Sequence, residues 1–563
     1  MLRTQGEEDV DMTWWKGFIW LAAAAACTDL ASAKVIQVGP TRALTRVSYG
    51  VAAASDGDII EIDSGTYITS EGWAWVDKNN LTLRGVGPTR PVMDSWHGAM
   101  HEMGIFVVTG NNTTFENLEL KDCRLTPAEG ANGTGIRIVG AGLTVRNCYI
   151  HDCDDGIMGG ANANSDILVE NCEFDHCGYV NIVTDEPDPQ YSGYSHNLYI
   201  GNVRSFTIRY TWTHNAVWGH DIKTRAKLNY ILYNRITDEN GSASYEVNVP
   251  NAGTTYIIGN LIQQGPYSEN STIIDYASEG ASNPDKHLYV VNNTIINDLG
   301  RGTFVRNYTS TAALLQNNIF QGAGTILSGA GTQVANLAPP ANAYIRDAAG
   351  FDYHLTAQST AAMNAGAAPG VGVDGFAMTP ASQYVHAYKS VSRPADGTID
   401  IGAFEYAPNE PPTVDAGPDV SAYEGQNVQL HAAALDPNYD ALTYAWSQMA
   451  GLNVALGNGS TADAIFTAPA VASAGQTGMS FQVTVSDAGG KNASDTINVR
   501  VYMAGDGTHD DKVDISDLLN LSRAYGSSQG QASYDPQYDF TGDGVIDASD
   551  LLSLSQSWGR SLE

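Results

Sequence analysis

The sequence predicts a mainly-β chain: a long parallel β-helix, a β-sandwich behind it, and a small α-helical module at the C-terminal end. Three observations predict this. The composition is poor in charge and rich in turn residues, with 16% charged residues against about 25% in ordinary globular chains, 58 Gly and 28 Tyr. A degenerate repeat of short alternating strands then recurs about every 24 residues over residues 34–405. Beyond it the pattern changes to evenly spaced strands, and then to two matched acidic phrases that each open an apolar helix. At about 100–200 residues per domain, 563 residues make three or four domains. A hydrophobic fraction of 43% argues against intrinsic disorder. The net charge of −33 argues against general nucleic-acid binding, which needs a basic footprint.

Residues 1–33 read as a secretory signal peptide. An apolar stretch, Gly17 to Cys27, precedes the small-residue cleavage pattern Ala31-Ser32-Ala33. Glu7-Glu8-Asp9 is too acidic for the positive leader of such a peptide, so translation is expected to start at Met12, with Lys16 as the positive charge. Lipidation of Cys27 is the alternative; it meets Ala24 where a larger aliphatic residue is usual. No internal apolar run reaches about 18 residues, so no membrane span is expected in the mature chain.

Residues 34–408 are assigned to the β-helix. The repeat reads apolar-x-apolar-x-Asn-x-x-apolar, with Asn117, Asn147, Asn171, Asn234, Asn260, Asn293 and Asn317 in the polar slot and Tyr210 replacing Asn once. Intervals are 24 from 147 to 171, 24 from 210 to 234, 26 from 234 to 260 and 24 from 293 to 317. A single coil of this size cannot bury its own inner face, so coils must stack. The recurring Asn is expected to form an inward ladder. Cys123, Cys153 and Cys177 each fall six residues after a ladder Asn, and Cys148 and Cys172 one residue after, as stacked columns would require. An odd number of mature cysteines leaves at least one without an intrachain disulfide. Small apolar residues in a stack is the preferred reading, and disulfides across coils the other. The phrase from Gly57 to Tyr67, GDIIEIDSGTY, resembles the first coils of pectin-lyase-like right-handed β-helices. The helix is expected to close around Ile399–Glu405.

After the linker Asn409-Glu410-Pro411-Pro412, residues 410–503 show short strands with turn signals at regular spacing, as in a β-sandwich. Val414–Asp419, Asp436-Pro437-Asn438, Tyr444-Ala445-Trp446 and Phe481–Asp487 resemble a PKD-type immunoglobulin-like domain. Residues 504–563 hold the paired phrases Asp506, Thr508, Asp510, Lys512, Asp514, Asp517 and Asp539, Thr541, Asp543, Val545, Asp547, Asp550, each followed by Leu-Leu. Oxygens at positions 1, 3, 5, 9 and 12, with a backbone carbonyl at 7, meet the need of Ca²⁺ for six to eight oxygen ligands, so two ions are expected. The segment resembles a type I dockerin, with Asp at position 12 and Asp511 where Gly is usual; the resemblance implies a cohesin-type scaffold as partner.

The chemistry is expected on the β-helix. Between Arg204 and Arg235 lie Arg204, Arg209, Lys223, Arg225, Lys227 and Arg235, opposed only by Asp221. Such a patch attracts a polyanion locally. Alternation puts Asn197 and Tyr199, then Asp221, Lys223 and Arg225, then Glu246 and Asn248, outward on three consecutive coils. That inventory suits β-elimination on a uronic-acid polymer. Arg225 neutralises the sugar carboxylate. Lys223, its pKa lowered by neighbouring cations, removes the α-proton. Tyr199 or His220 protonates the leaving oxygen. Asn197, Asn248, Arg204 and Arg209 are the expected substrate contacts, and Asp221 with Glu246 offers a further Ca²⁺ position. The stretch Asp221–Asn260 resembles the catalytic coils of the alginate lyase and chondroitinase B family, which implies a base at Lys223. The family's assisting Arg falls near Glu246 here, and Arg225 on the preceding strand is the expected substitute. Two alternatives stay open. A glycoside hydrolase would use the paired carboxylates Asp154 and Asp155. A non-catalytic adhesin would use the β-helix as a stalk.

Overall fold

The computed structural model describes residues 33–181, 184, 186–187, 193–339, 343–395 and 397–562. The expected signal peptide, Cys27 and most of the Asp185–Tyr194 insert lie outside the described residues. The chain divides into two compact units, one holding residues up to 207 with 215–227, the other 208–214 with 228–563.

In the first unit each coil gives one short strand to each of three parallel sheets. One sheet runs through Val35–Val38, Ile59–Asp63, Thr82–Val86, Thr113–Glu116, Leu143–Arg146 and Asp166–Glu170. The next runs through Ala74–Val76, Gly104–Val108, Thr134–Ile138, Asp155–Gly159, Leu198–Ile200 and His220–Thr224. The third joins Thr66–Ile68, Val92–Asp94, Glu119–Lys121, Tyr149–His151 and Glu173–Asp175. Alternate side chains point inward, and in-register pairing stacks them: Ile60, Leu83, Phe115, Val145 and Val169 form one fully buried column. The five cysteines continue such columns as buried thiols, with no disulfide among them. The second unit repeats the three-sheet plan, for example through Leu228–Leu232, Thr254–Ile258, Leu288–Val291, Ala313–Gln316 and Gly331–Val334.

The recurring Asn proves to occupy two adjacent columns rather than one. Asn117, Asn147, Asn171, Tyr210, Asn292 and Asn317 sit at a corner with φ between 49° and 56°. This left-handed conformation is one that Asn adopts more readily than most residues. The inward ladder lies one residue later. Asn234, Asn260, Asn293 and Asn318 are fully buried. Each donates through Nδ2 to the Oδ1 of the next, reaching Asn336, at 3.0 Å. In the first unit Leu118, Cys148 and Cys172 fill the position after the corner Asn, and the Cys148 amide donates to Cys172 Sγ at 3.5 Å.

The coils also end earlier than expected. The last paired coil strand is Gly331–Val334, and Ile399–Glu405 is not a strand. It is a loop laid on the coils: Asn292 Nδ2 donates to the Asp400 carbonyl at 2.8 Å and the Ala403 amide donates to Thr294 Oγ1 at 3.1 Å. A buried Arg393–Glu405 ion pair anchors it. The apolar alternation of Ile399, Ile401 and Ala403 therefore packs without β pairing.

The sandwich pairs Val420–Tyr423, Asn492–Tyr502, Gly478–Ser486 and Thr443–Ala450 in one sheet and Asn427–His431 with Asp463–Thr467 in another. The C-terminal helices Ile515–Ala524 and Ala548–Ser557 share its core: Leu521, Phe540, Ile546 and Leu554 belong to the same apolar cluster as Trp446 and Phe481. Arg560 reinforces this contact, donating to Glu424 and to the Val471 carbonyl, both at 2.8 Å. No helix among the described residues is long and apolar enough to cross a membrane.

The two Asn columns should respond differently to substitution. Asn260→Ala removes the acceptor of the Asn234 amide and side chain and is expected to cost about 2–4 kcal/mol. Asn147→Gly, at a left-handed corner, should change stability by less than about 0.5 kcal/mol. Thermal melts of the two variants side by side check this.

Candidate functional site

In the first unit, strands Leu198–Ile200 and His220–Thr224 run parallel and in register, so Tyr199 faces Lys223 directly. Arg137 and Met158 precede them in the same column. Lys223 Nζ lies 5.5 Å from the centre of the Tyr199 ring, and the Arg225 guanidinium 5.6 Å. Arg225 Nε donates to the Tyr199 hydroxyl at 2.9 Å. The phenol thus meets two cations of the next coil, and Tyr199 and Arg225 are half-buried.

Beneath them stands a buried histidine pair. The rings of His196 and His220 are 4.6 Å apart, and the His220 amide donates to His196 Nδ1 at 3.1 Å. The His196 amide in turn donates to Asp155 Oδ1 at 2.9 Å. Burial, with Lys223 and Arg225 nearby, pushes His220 down to about 3; burial and the His220 ring hold His196 well below the ordinary range. His220 is therefore neutral at working pH and is no proton donor of the imidazolium kind, a correction to its expected role. Its parity matches the inward apolar residues, and it packs as they do.

Four other expected residues are engaged with neighbouring groups of the protein. Asn197 is fully buried; its Nδ2 donates to Asp221 Oδ1 at 2.9 Å and its Oδ1 accepts the Cys177 amide at 3.1 Å. It ties coils together rather than facing a sugar. Asp221 is likewise fully buried. Arg204 is exposed but bidentate on Asp166, so its charge is matched. Arg209 belongs to strand Ser205–Arg209, a different sheet from Lys223, and lies against the Tyr210 ring at 5.4 Å. Arg235, in the second unit, is buried and paired with Glu239 at 2.8 Å.

In the second unit Glu246 and Asn248 are buried on strand Tyr245–Val249. Asn248 Nδ2 donates to Asp275 Oδ2 at 2.7 Å, its register partner on the next strand. Asp275 was not singled out from sequence. Its signal is there, in the alternation Ile274-Asp275-Tyr276 of a strand whose neighbours point inward. The hydrolase pair is buried as well: Asp154 Oδ2 accepts the amides of Leu125 and Gly133 at 2.9 and 2.7 Å. Burial pushes Asp154 up to about 7 and raises Asp155 well above the carboxylate range. These carboxyls accept backbone amides of neighbouring coils and loops.

The C-terminal loops fit Ca²⁺. Asp506, Asp517, Asp539 and Asp550 are buried and converge on short loops. Thr508 donates its amide and hydroxyl to Asp517 Oδ1, both at 2.9 Å, and Thr541 does the same to Asp550 Oδ1 at 3.0 and 3.2 Å. Asp514 and Asp547 cap the two helices, each in a capping box with the position-12 Asp. Burial and the neighbouring Asp517 and Asp510 push Asp506 up to about 6. Asp511 takes φ 64° where the second loop has Gly544 at 84°.

Comparison with known proteins agrees with this architecture. A model of right-handed β-helix regions matches residues 64–197, a PKD-domain model matches 416–501, and one of type I dockerin domains matches 504–557. The chain is a β-helix protein carrying a PKD domain and a type I dockerin. Type I dockerins bind Ca²⁺, as the loops require. A chitinase A of Pseudoalteromonas piscicida is 32% identical over 130 residues, 23% of this chain. The chain spans only 15% of that relative's length. Among solved structures, a nucleoside hydrolase-related hypothetical protein from Saccharophagus degradans, described as associated with carbohydrate metabolism, shares 24% identity over 18% of this chain and 28% of its own, with a TM-score of 0.16. The PKD domain of the KIAA 1837 protein shares 21% identity over 17% of this chain and 92% of its own, with a TM-score of 0.14.

Two outcomes follow for the β-helix and dockerin. His196 and His220 bind protons in the unfolded chain near pH 6.5 but not in the fold, so their contribution to stability is lost as pH falls below about 6.5. Asp154 and Asp155 have the opposite dependence, so the test is the difference between parent and His220→Gln: the parent should lose more stability than the variant between pH 6.5 and 4 in chemical denaturation. Asp511→Gly relieves the left-handed Asp and should strengthen Ca²⁺ binding at the first loop a few-fold, about 0.5–1 kcal/mol, by calorimetric titration.

Proposed function

We propose that this chain is an exported glycan-processing enzyme, a polysaccharide lyase that cleaves a uronic-acid polymer by β-elimination, docked to a cohesin-type scaffold through its dockerin. The observation that carries the reading is the Tyr199 phenol, bonded to Arg225 and set against Lys223 of the same next coil. The β-helix, the dockerin and the partial likeness to a chitinase support a carbohydrate-active role, and the dockerin supports an extracellular one.

In the proposed step Arg225 takes the C5 carboxylate, spreading the charge that builds when the α-proton leaves. Lys223, as the amine, takes that proton. The electron pair forms the C4–C5 double bond and the C4–O bond breaks. Tyr199 gives its hydroxyl proton to the departing oxygen, the role that neutral, buried His220 does not fill. Asn248 is kept as a proposed substrate contact. A Ca²⁺ on the β-helix is the variant reading, in which the ion shares the carboxylate with Arg225.

The hydrolase reading is less favoured because Asp154 and Asp155 are buried and bonded to backbone amides. Incubation with alginate, pectate, glucuronan and glycosaminoglycans should raise ultraviolet absorbance as the conjugated double bond forms. Lys223→Ala should abolish the signal and Tyr199→Phe should lower kcat by about 10²–10⁴. New reducing ends without absorbance would point to the hydrolase, and neither signal on any polymer would point to the adhesin. Chelation that removes activity from a chain with Asp506→Ala and Asp539→Ala would favour the ion-assisted variant.

A further inference from the structure

The linker that enters the PKD domain is held at a second kind of acidic cluster, unrelated to the dockerin loops. Asp436, Asp440 and Asp487 each offer one carboxylate oxygen to a space in which those oxygens lie within 4.8 Å of one another. Asp436 and Asp440 stand in the turn between Ala433–Leu435 and Thr443–Ala450; Asp487 follows Gly478–Ser486.

The hydrogen bonds leave a distinctive remainder. Asp436 Oδ1 accepts the amides of Asn438 and Asp440 at 2.7 and 3.1 Å. Asp440 Oδ1 pairs with Arg346. Asp487 accepts the Lys491 amide at 2.8 Å and Asn409 Nδ2 at 3.1 Å. Among the described residues, Asp436 Oδ2, Asp440 Oδ2 and Asn409 Oδ1 are buried with no hydrogen-bond partner. Asp436 is 3% exposed, and so is the Asp440 side chain. Buried carboxylate oxygens without a partner are costly, and a cation is the ordinary remedy. Two cations are near: Arg346, which serves Asp440 and Asp352, and the Lys491 ammonium, which donates to the Asn409 carbonyl. Neither is placed by these bonds on the orphaned oxygens of Asp436 and Asn409.

The structure assigns a Ca²⁺ site to Asn409, Asp436, Asp440 and Asp487. The donors are all hard oxygens, with no thiolate or imidazole, which selects against Zn²⁺. Oxygens spread over as much as 4.8 Å match an ion whose bonds are about 2.3–2.6 Å long, since opposite ligands then stand about 5 Å apart. The ion would fasten the linker to two turns of the sandwich. Asn438 already marks that junction: its Oδ1 accepts the Glu410 amide at 2.6 Å and its Nδ2 donates to the Pro408 carbonyl at 3.1 Å. The inference is independent of the β-helix chemistry.

The test is made on the full chain. Parent and Asp436→Asn/Asp487→Asn proteins are dialysed to equilibrium against the same free Ca²⁺, and bound Ca²⁺ is counted by atomic emission. Both proteins share the dockerin loops, so the difference reports this cluster alone. The variant should hold one ion fewer. Chelation should speed proteolysis of the parent within residues 406–412 at least tenfold, and the variant should be cut at the fast rate with or without Ca²⁺. Asn409→Ala, which leaves every carboxylate in place, should need about tenfold more free Ca²⁺ for the same protection. Equal ion counts in parent and double variant, or linker proteolysis of the parent that is indifferent to Ca²⁺, would overturn the assignment.

Discussion

A coil of some two dozen residues, cut into three short strands, has no inside of its own. Its inward side chains leave water only when another coil lies above and below, so parallel in-register stacking is the constraint from which the β-helix follows. Register explains why like residues recur: Ile60, Leu83, Phe115, Val145 and Val169 meet because a one-residue slip would turn the whole set outward. The same requirement governs the polar core. An Asn side chain buried at a bend is tolerable only when its amide and carbonyl both find partners; the next coil's Asn accepts the amide and the preceding coil's Asn donates to the carbonyl. Where cysteine takes that position, sulfur substitutes as a weak acceptor.

That rigid stack is also what positions the chemistry. Tyr199 and Lys223 face each other because their strands pair residue for residue, and Arg225 reaches the phenol from just past the strand end. Beneath this surface the polar residues are committed to structure. Asn197 bridges Asp221 and Cys177, Asp155 takes a backbone amide, and the histidines pack together as neutral rings. A reacting group on such a scaffold needs outward parity, and it also needs to escape the hydrogen bonds that hold the coils.

Much of this was legible in the sequence, and the failures have physical causes. The period near 24, the three-part order of modules and both acidic loops could be read because stacking and Ca²⁺ coordination impose fixed spacings. The ladder was misplaced by one residue over part of its length because Asn is favoured for two reasons at neighbouring positions, left-handed φ and buried amide pairing. Ile399–Glu405 reads as the close of the coils because apolar alternation reports burial on one face and not hydrogen-bonded pairing. The cation cluster is less than its count because Arg204 and Arg235 are matched by Asp166 and Glu239, carboxylates that lie outside the 204–235 stretch.

The β-helix, the sandwich, the dockerin-like loops and the outward parity of Tyr199 and Lys223 on consecutive coils could all be read from residue order. They depend on local period, turn chemistry and spacing, which are properties of the chain as written. Folding alone settled which outward residues stay accessible, that His220 is a neutral core residue, and that Asn409 meets Asp436, Asp440 and Asp487. Burial and partnership are set by segments far apart in the chain, and no local pattern encodes the distance between them.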